Sequence, residues 1–332
     1  MGVYIIAEAG VNHNGKLDLA LKLCDAAKEA GVDAVKFQTW KTENIVTAQA
    51  RQAAYQTENT GVEESQFDML KKLELSYDHF CYIQDYCKKI GIDFLSTPDE
   101  EESLEFLVSL GLPFIKVGSG EVTNIPYLRK IGSKGKPVIL STGMSNLAQV
   151  ATAYDTLVKA GADGVSLLHC TTNYPCPMDE VNLRAMITLR DAFKCQVGYS
   201  DHTMGTEVPV AAAALGAEII EKHFTLDCTM EGPDHKASLE PAELKLMVQQ
   251  IRNIEAALGD GIKRPNKSEA ENAKVVQKSI LAKRPIKKGE TLTEENLTVK
   301  RAGAGIPANL WDSVVGGLAI KDFEIDEPIK LY

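Results

Sequence analysis

The sequence predicts an α/β protein, a (β/α)8 barrel followed by a small, loop-rich β-type domain. Three observations predict it. Strand-like and helix-like stretches alternate through eight units up to about residue 260. No G-x-G-x-x-G follows the first strand, which removes the main support for an open dinucleotide-binding sheet. Beyond residue 278 the texture changes to short β-like runs between turn signals.

The units run in order. A strand over Tyr4–Ala9 leads to a helix over Leu17–Ala30, which Gly31 stops. Asp33–Gln38 is the second strand. A long polar stretch, Thr39–Gln66, then interrupts the pattern, and a loop of that length in a compact domain is usually functional. The helix Tyr77–Ile90 leads to the strand Asp93–Ser96, and Glu100–Leu110 leads to Phe114–Val117. The next pairs are Ile125–Ile131 with Pro137–Leu140, then Asn146–Ala160 with Val165–His169. Leu183–Phe193 precedes Gln196–Tyr199, and Thr206–Leu215 precedes Glu218–His223. The helix Pro241–Leu258 closes a barrel domain of residues 1–260. Residues 261–278 read as a polar linker, and residues 279–332 as the small domain, with turns at Lys288-Gly289-Glu290, Gly303–Pro307 and Gly316-Gly317.

Composition excludes several classes. With 44% hydrophobic and 25% charged residues the chain is an ordinary globular one. No apolar run is long enough to span a membrane, and no signal peptide precedes the first strand, so a cytoplasmic protein is expected. A net charge of −10 argues against a nucleic-acid partner. The seven cysteines form no C-x-x-C pair and are expected to be free, buried thiols.

Active sites of this fold lie where the strands end. Unusual polar residues collect there. Glu8 ends the first strand, Lys36 and Gln38 share one face of the second, and Thr97 follows the third. The fourth ends in Lys116-Val117-Gly118-Ser119-Gly120-Glu121 and the fifth in Ser141-Thr142-Gly143. The sixth runs into Thr171–Pro175. Ser200 and His202 share a face at the seventh, as do Glu221 and His223 at the eighth. Two lysines, several hydroxyls and glycine-flanked amides around one rim suit a small dianionic ligand. A lysine there also reads as half of a buried salt bridge. Glu8 reads as a general base, or as a carboxylate neutralised by Lys36. His202 and His223 read as half of a divalent-metal site, or as hydrogen-bonded core residues. His79, on a helix, reads as a solvated surface residue, and His169 as a packed group rather than a ligand.

These residues stand in motifs that resemble the sialic acid synthase family. The motifs include Ile6–Gly15, Lys36-Phe37-Gln38-Thr39, Ser96-Thr97-Pro98, Lys116–Glu121 and Ser141–Met144. Tyr199–Thr203, Glu221–Thr225 and Gly232–His235 follow in family order. The resemblance covers essentially the whole chain, and residues 279–332 resemble the family's antifreeze-like (SAF) domain.

The resemblance implies an enzyme that condenses phosphoenolpyruvate with an N-acylated hexosamine. It implies His202 and His223 as ligands of a divalent ion, manganese or magnesium. Lys36, Thr97, Lys116, Ser119, Ser141, Asn173, Tyr174 and Ser200 are implied at the phosphoenolpyruvate site. Glu8, Gln38, Glu121 and Asp234 fall at the sugar and the reacting carbons. It also implies a homodimer in which the small domain caps the partner barrel and Arg301 reaches the sugar's N-acyl group. Ala302 stands where the family pattern has proline, which bears on loop stiffness. The expected acceptor is N-acetylmannosamine, giving N-acetylneuraminate. The alternative is a 2,4-diacetamido-trideoxymannose, giving legionaminate. A phosphorylated-aldose enzyme would need a further basic cluster, which the sequence lacks, and a non-catalytic sugar-binding protein would not need the intact rim.

Overall fold

A computed structural model of the chain describes residues 2–331 apart from 53–55, 58–60, 62 and 63. It divides into two compact units, Met1–Gly259 and Asp260–Tyr332.

The first unit is built on eight parallel strands: β1 Tyr4–Gly10, β2 Ala34–Thr39, β3 Asp93–Pro98, β4 Ile115–Val117, β5 Val138–Ser141, β6 Val165–His169, β7 Val197–Asp201 and β8 Ile219–His223. Their order is β3-β2-β1-β8-β7-β6-β5-β4, and the two ends of that order, β3 and β4, pack against each other. The sheet thus curls into the expected barrel. Its strands are short and almost wholly apolar up to their last turn, as strands covered on both faces must be.

Helices pack outside: α1 Leu17–Ala30, α2 Thr42–Ile45, α3 Gln66–Leu73, α4 Tyr77–Ile90, α5 Glu101–Ser109, α6 Ile125–Gly132, α7 Leu147–Ala160, α8 Arg184–Phe193, α9 Glu207–Ala214 and α10 Pro241–Leu258. Their starts are written in the sequence. The Ser76 side chain accepts the His79 N–H at the head of α4, and Asn146 and Gln149 form a reciprocal capping box at α7. α10 begins with Pro241 behind a Glu240/Glu243 box.

Inside the barrel Ile6, Ala34, Leu95, Ile139, Leu168 and Ile219 form an apolar plug. Two residues further along the same strands stand Glu8, Lys36, Thr97, Ser141, Cys170 and Glu221. Alternation along each strand therefore stacks a polar layer directly on the plug, at the carboxyl ends.

Several local expectations change. Thr39–Gln66 is not one loop: it holds α2, whose Thr42 is tied to Glu74 through both N–H and Oγ1, and the bridge Arg51–Ser65. Part of that stretch lies outside the described residues. His79 is half-buried rather than solvated, because it shares the stripe of α4 that buries Ile83 and Cys87 at four-residue steps. Of the cysteines, Cys24, Cys87, Cys170 and Cys176 are buried, but Cys81 is exposed off that stripe and Cys195 and Cys228 are half-buried.

The second unit has its own core of Ile280, Ala282, Ile286, Leu292, Leu297, Val314, Ala319, Phe323 and Ile329. β9 Lys278–Ala282 pairs antiparallel with β10 Leu297–Arg301. The segment read as linker contains a helix, α11 Lys267–Val276, started by an Asn266/Glu269 capping box and burying none of its residues. A helix that buries no face shows no apolar period, which is why it read as linker.

Candidate active site

A cavity of about 190 Å³ sits on the polar layer. Its lining includes Glu8, Lys36, Gln38, Thr97, Lys116, Ser119, Ser141, Tyr174, Ser200, His202 and His223, all singled out from the sequence. Asn173 does not line it and stays exposed on the loop after β6. Glu121 lines a neighbouring cavity of about 880 Å³, and Asp234 is buried behind His223, its Oδ2 3.9 Å from Nδ1. Arg301, the last residue of β10, is exposed on the second unit.

The floor of the cavity is a four-membered charge array. Lys36 Nζ lies 2.5 Å from Glu8 Oε2 and 3.7 Å from Glu221 Oε2, and donates to Thr97 Oγ1 at 3.0 Å. Lys116 Nζ lies 3.5 Å from Glu221 Oε1 and donates to Ser141 Oγ at 2.8 Å. Ser200 Oγ donates to Glu221 Oε1 at 2.8 Å, and Gln38 Nε2 to Glu8 Oε1 at 3.0 Å.

Burial alone would raise the Glu221 carboxyl, but Lys116 and Lys36 outweigh it and bring its pKa to about 2. Burial pulls Lys116 down, with Glu221 opposing; for Lys36, Glu221 and Glu8 overcome burial and hold the ammonium charged. Burial raises Glu8, with Lys36 opposing and Glu221 adding to the rise.

Glu221 is the member whose role the sequence did not assign. It stood at the rim, but its two lysines arrive from β2 and β4, which no local spacing reveals. Asp99 was missed altogether. It lines both cavities, and burial raises its carboxyl to about 7.

Ser119 lines one part of the cavity beside Gly143. The Gly143 N–H donates to Ser119 Oγ at 3.0 Å, and that hydroxyl lies 3.1 Å from Cys170 Sγ. A β-carbon on Gly143 would come within 2.2 Å of Thr172 Oγ1 and 2.9 Å of Ser119 Oγ. Glycine is therefore required where these groups converge.

The cavity also holds the two imidazoles, ring centroids 5.6 Å apart, with Tyr174 4.0 Å from His202 and edge-on to His223 at 5.6 Å. His202 Nδ1 pairs with the Thr171 carbonyl at 2.6 Å, and the Cys176 N–H donates to the His202 carbonyl at 2.7 Å, so the loop after β6 grips this residue twice. Burial lowers the pKa of both rings, and His202 lowers His223 further. Neutral rings are what a cation needs as ligands. With His202 Nδ1–H donated to the Thr171 carbonyl, its Nε2 keeps the lone pair a cation needs, and His223 Nδ1 is buried without a hydrogen-bond partner. The pair thus fits a divalent ion. Among the described residues no cluster of three or more His, Cys, Asp or Glu could hold one, so water and substrate would complete the shell. His169 is not a ligand candidate: its Nε2 pairs with the Val181 carbonyl at 2.8 Å.

Comparison with known proteins agrees with this geometry. The NeuB family profile matches residues 23–263, and the SAF domain profile residues 277–331. The chain is 52% identical to N,N'-diacetyllegionaminic acid synthase of Campylobacter jejuni, covering 98% of each chain. It is 46% identical to the protein of the same name from Legionella pneumophila, over 95% of this chain and 90% of that one. The crystal structure of N-acetylneuraminic acid (sialic acid) synthetase from Leptospira borgpetersenii with citrate is 35% identical. It superposes with a TM-score of 0.72 over 82% of this chain and 90% of that chain. The chain therefore belongs to the NeuB family, the sialic acid synthase type of phosphoenolpyruvate-condensing enzyme, and carries a SAF domain at its C-terminal end.

Proposed function

We propose that the chain condenses phosphoenolpyruvate with 2,4-diacetamido-2,4,6-trideoxymannose and water, giving N,N'-diacetyllegionaminate and phosphate. The expectation from the sequence favoured N-acetylmannosamine. The names of the relatives at 52% and 46% identity favour the alternative, and they carry this reading. The larger cavity gives it physical support. Ile45, Val46, Leu70 and Pro126 line it beside Glu121 and Asn124, and it meets the reaction cavity at Asp99. Among the described residues, four apolar side chains, three amides and six carboxyls share that lining; the apolar ones suit a C6 methyl and the amides a C4 acetamido group, where N-acetylmannosamine has hydroxyls.

Lys36, Lys116 and the Ser119 and Ser141 hydroxyls are read as the seat of phosphoenolpyruvate, whose phosphate and carboxylate need fixed donors. Attack by its C3 on the open-chain aldehyde forms the C–C bond and leaves cationic character at C2. Water adds there, and the C–O bond to phosphate breaks. A divalent ion on His202 and His223, manganese or magnesium, would supply Lewis-acid activation of the aldehyde. Glu8 faces this chemistry as the group able to take a proton from the attacking water or a sugar hydroxyl. We read Arg301 as reaching the N-acyl group across a homodimer; the support is its place in Lys300–Ile306, the family-like motif.

Phosphate release is the test, with phosphoenolpyruvate, manganese and each sugar in turn. Faster release with the diacetamido sugar is expected. Faster release with N-acetylmannosamine would return the enzyme to N-acetylneuraminate synthesis.

A further inference from the structure

Behind the two imidazoles, on the outer face of the barrel wall, lies an ion pair that the reaction does not touch. Asp201 precedes His202, and Lys222 precedes His223. They are direct partners in the β7–β8 register, and Lys222 Nζ lies 2.6 Å from Asp201 Oδ2 with both side chains fully buried. Thr203 fastens the pair further. Its Oγ1 donates to the Asp201 carboxylate at 2.9 Å, its N–H donates to Oδ1 at 3.0 Å, and its carbonyl accepts from Lys222 Nζ. The layer over β7 and β8 is α8 and α9, whose buried side chains Met186 and Leu189, and Val208, Pro209, Ala212 and Ala213, carry no charge.

A buried ion pair is a poor way to stabilise a fold, because desolvation cancels most of the attraction and an apolar pair of similar volume does as well. What it does supply is fixed geometry. At the other end of the same ladder a β-carbon on Gly198 would meet the Ile219 carbonyl oxygen at 2.2 Å, so β7 and β8 are held close there by glycine. The ion pair holds them at the end where the imidazoles leave.

We infer that Asp201 and Lys222 are a positioning pair, which sets the spacing of His202 and His223 and so the affinity for the divalent ion. The inference rests on the reading of those histidines as ligands. Side chains outside a ligand set that orient it change metal affinity about 10–100-fold when replaced.

The test is calorimetric titration of the full-length chain with Mn²⁺ alone. Asp201→Asn with Lys222→Met removes both charges together, so no buried charge is left unpaired. Mn²⁺ affinity is expected to fall at least about tenfold, while phosphoenolpyruvate affinity, measured without metal, stays as in the parent. A folded double variant that binds Mn²⁺ as the parent does would overturn the inference. Should that variant fail to fold, Thr203→Val decides, since it frees the pair without breaking it: weaker Mn²⁺ binding supports the role, and unchanged binding removes it. A parent whose Mn²⁺ site survives His202→Ala with His223→Ala would instead sink the ligand reading itself.

Discussion

Glu221 and Lys116 face each other across the barrel floor, Oε1 3.5 Å from Nζ, and this contact opposes the burial that pulls the lysine's pKa down. In Glu221→Gln the burial remains and the opposing carboxylate is gone, so the ammonium loses its proton at lower pH. The high-pH limb of kcat/KM for phosphoenolpyruvate should move down by about one pH unit. An unmoved limb would mean that Glu221 does not keep Lys116 charged.

Asp234 gives a stability prediction of opposite sign to the usual carboxylate. Burial, and then Glu8, raise its pKa from the ordinary 3.8 to about 7. Between those values the folded chain holds a proton that the unfolded chain has released, so folding loses stability as pH rises through that window. Asp234→Asn removes this penalty. Its thermal midpoint should exceed the parent's at pH 8 by several degrees and match it near pH 4. An equal difference at both would show that the carboxyl titrates normally.

His223→Ala takes away a ring that is buried, neutral and without a hydrogen-bond partner at Nδ1. Turnover with manganese should drop at least about a hundredfold, with phosphoenolpyruvate binding retained. Near-parental turnover in the presence of a chelator would remove the ligand role.

Arg301→Ala should raise KM for the acceptor about tenfold, the value of one charge-assisted hydrogen bond, and leave KM for phosphoenolpyruvate in place. Steady-state kinetics varying each substrate separates the two. Equal losses would count against contact with the N-acyl group.

The barrel was legible because its signals are local. Helices announce themselves with Ser76, Asn146 and Gly31, and the period of two along β7 and β8 puts Ser200 with His202 and Glu221 with His223. What stayed hidden depends on distant chain segments or lacks a period. The tie of Glu221 to Lys36 and Lys116 joins three strands, and the place of Asp99 between two cavities needs the α2 segment folded over it. The helix Lys267–Val276 buries nothing, so only its Asn266/Glu269 cap could have disclosed it. The choice between the two acceptors was not legible, because the rim motifs are read as serving the half of the reaction that both would share. The larger cavity is lined by Glu43–Val46, in a stretch the sequence left as loop.

The floor array has a thermodynamic consequence for ligand entry. Two carboxylates stand against two ammoniums, so the array is already neutral before any ligand arrives. A polyanion seated on it finds no surplus positive charge, and its field falls on the carboxyls around it. Asp99 lines the cavity, and burial raises its carboxyl to about 7, so it can respond by taking up a proton. Phosphoenolpyruvate binding should therefore take up protons near neutrality, and its apparent heat should depend on the ionisation enthalpy of the buffer.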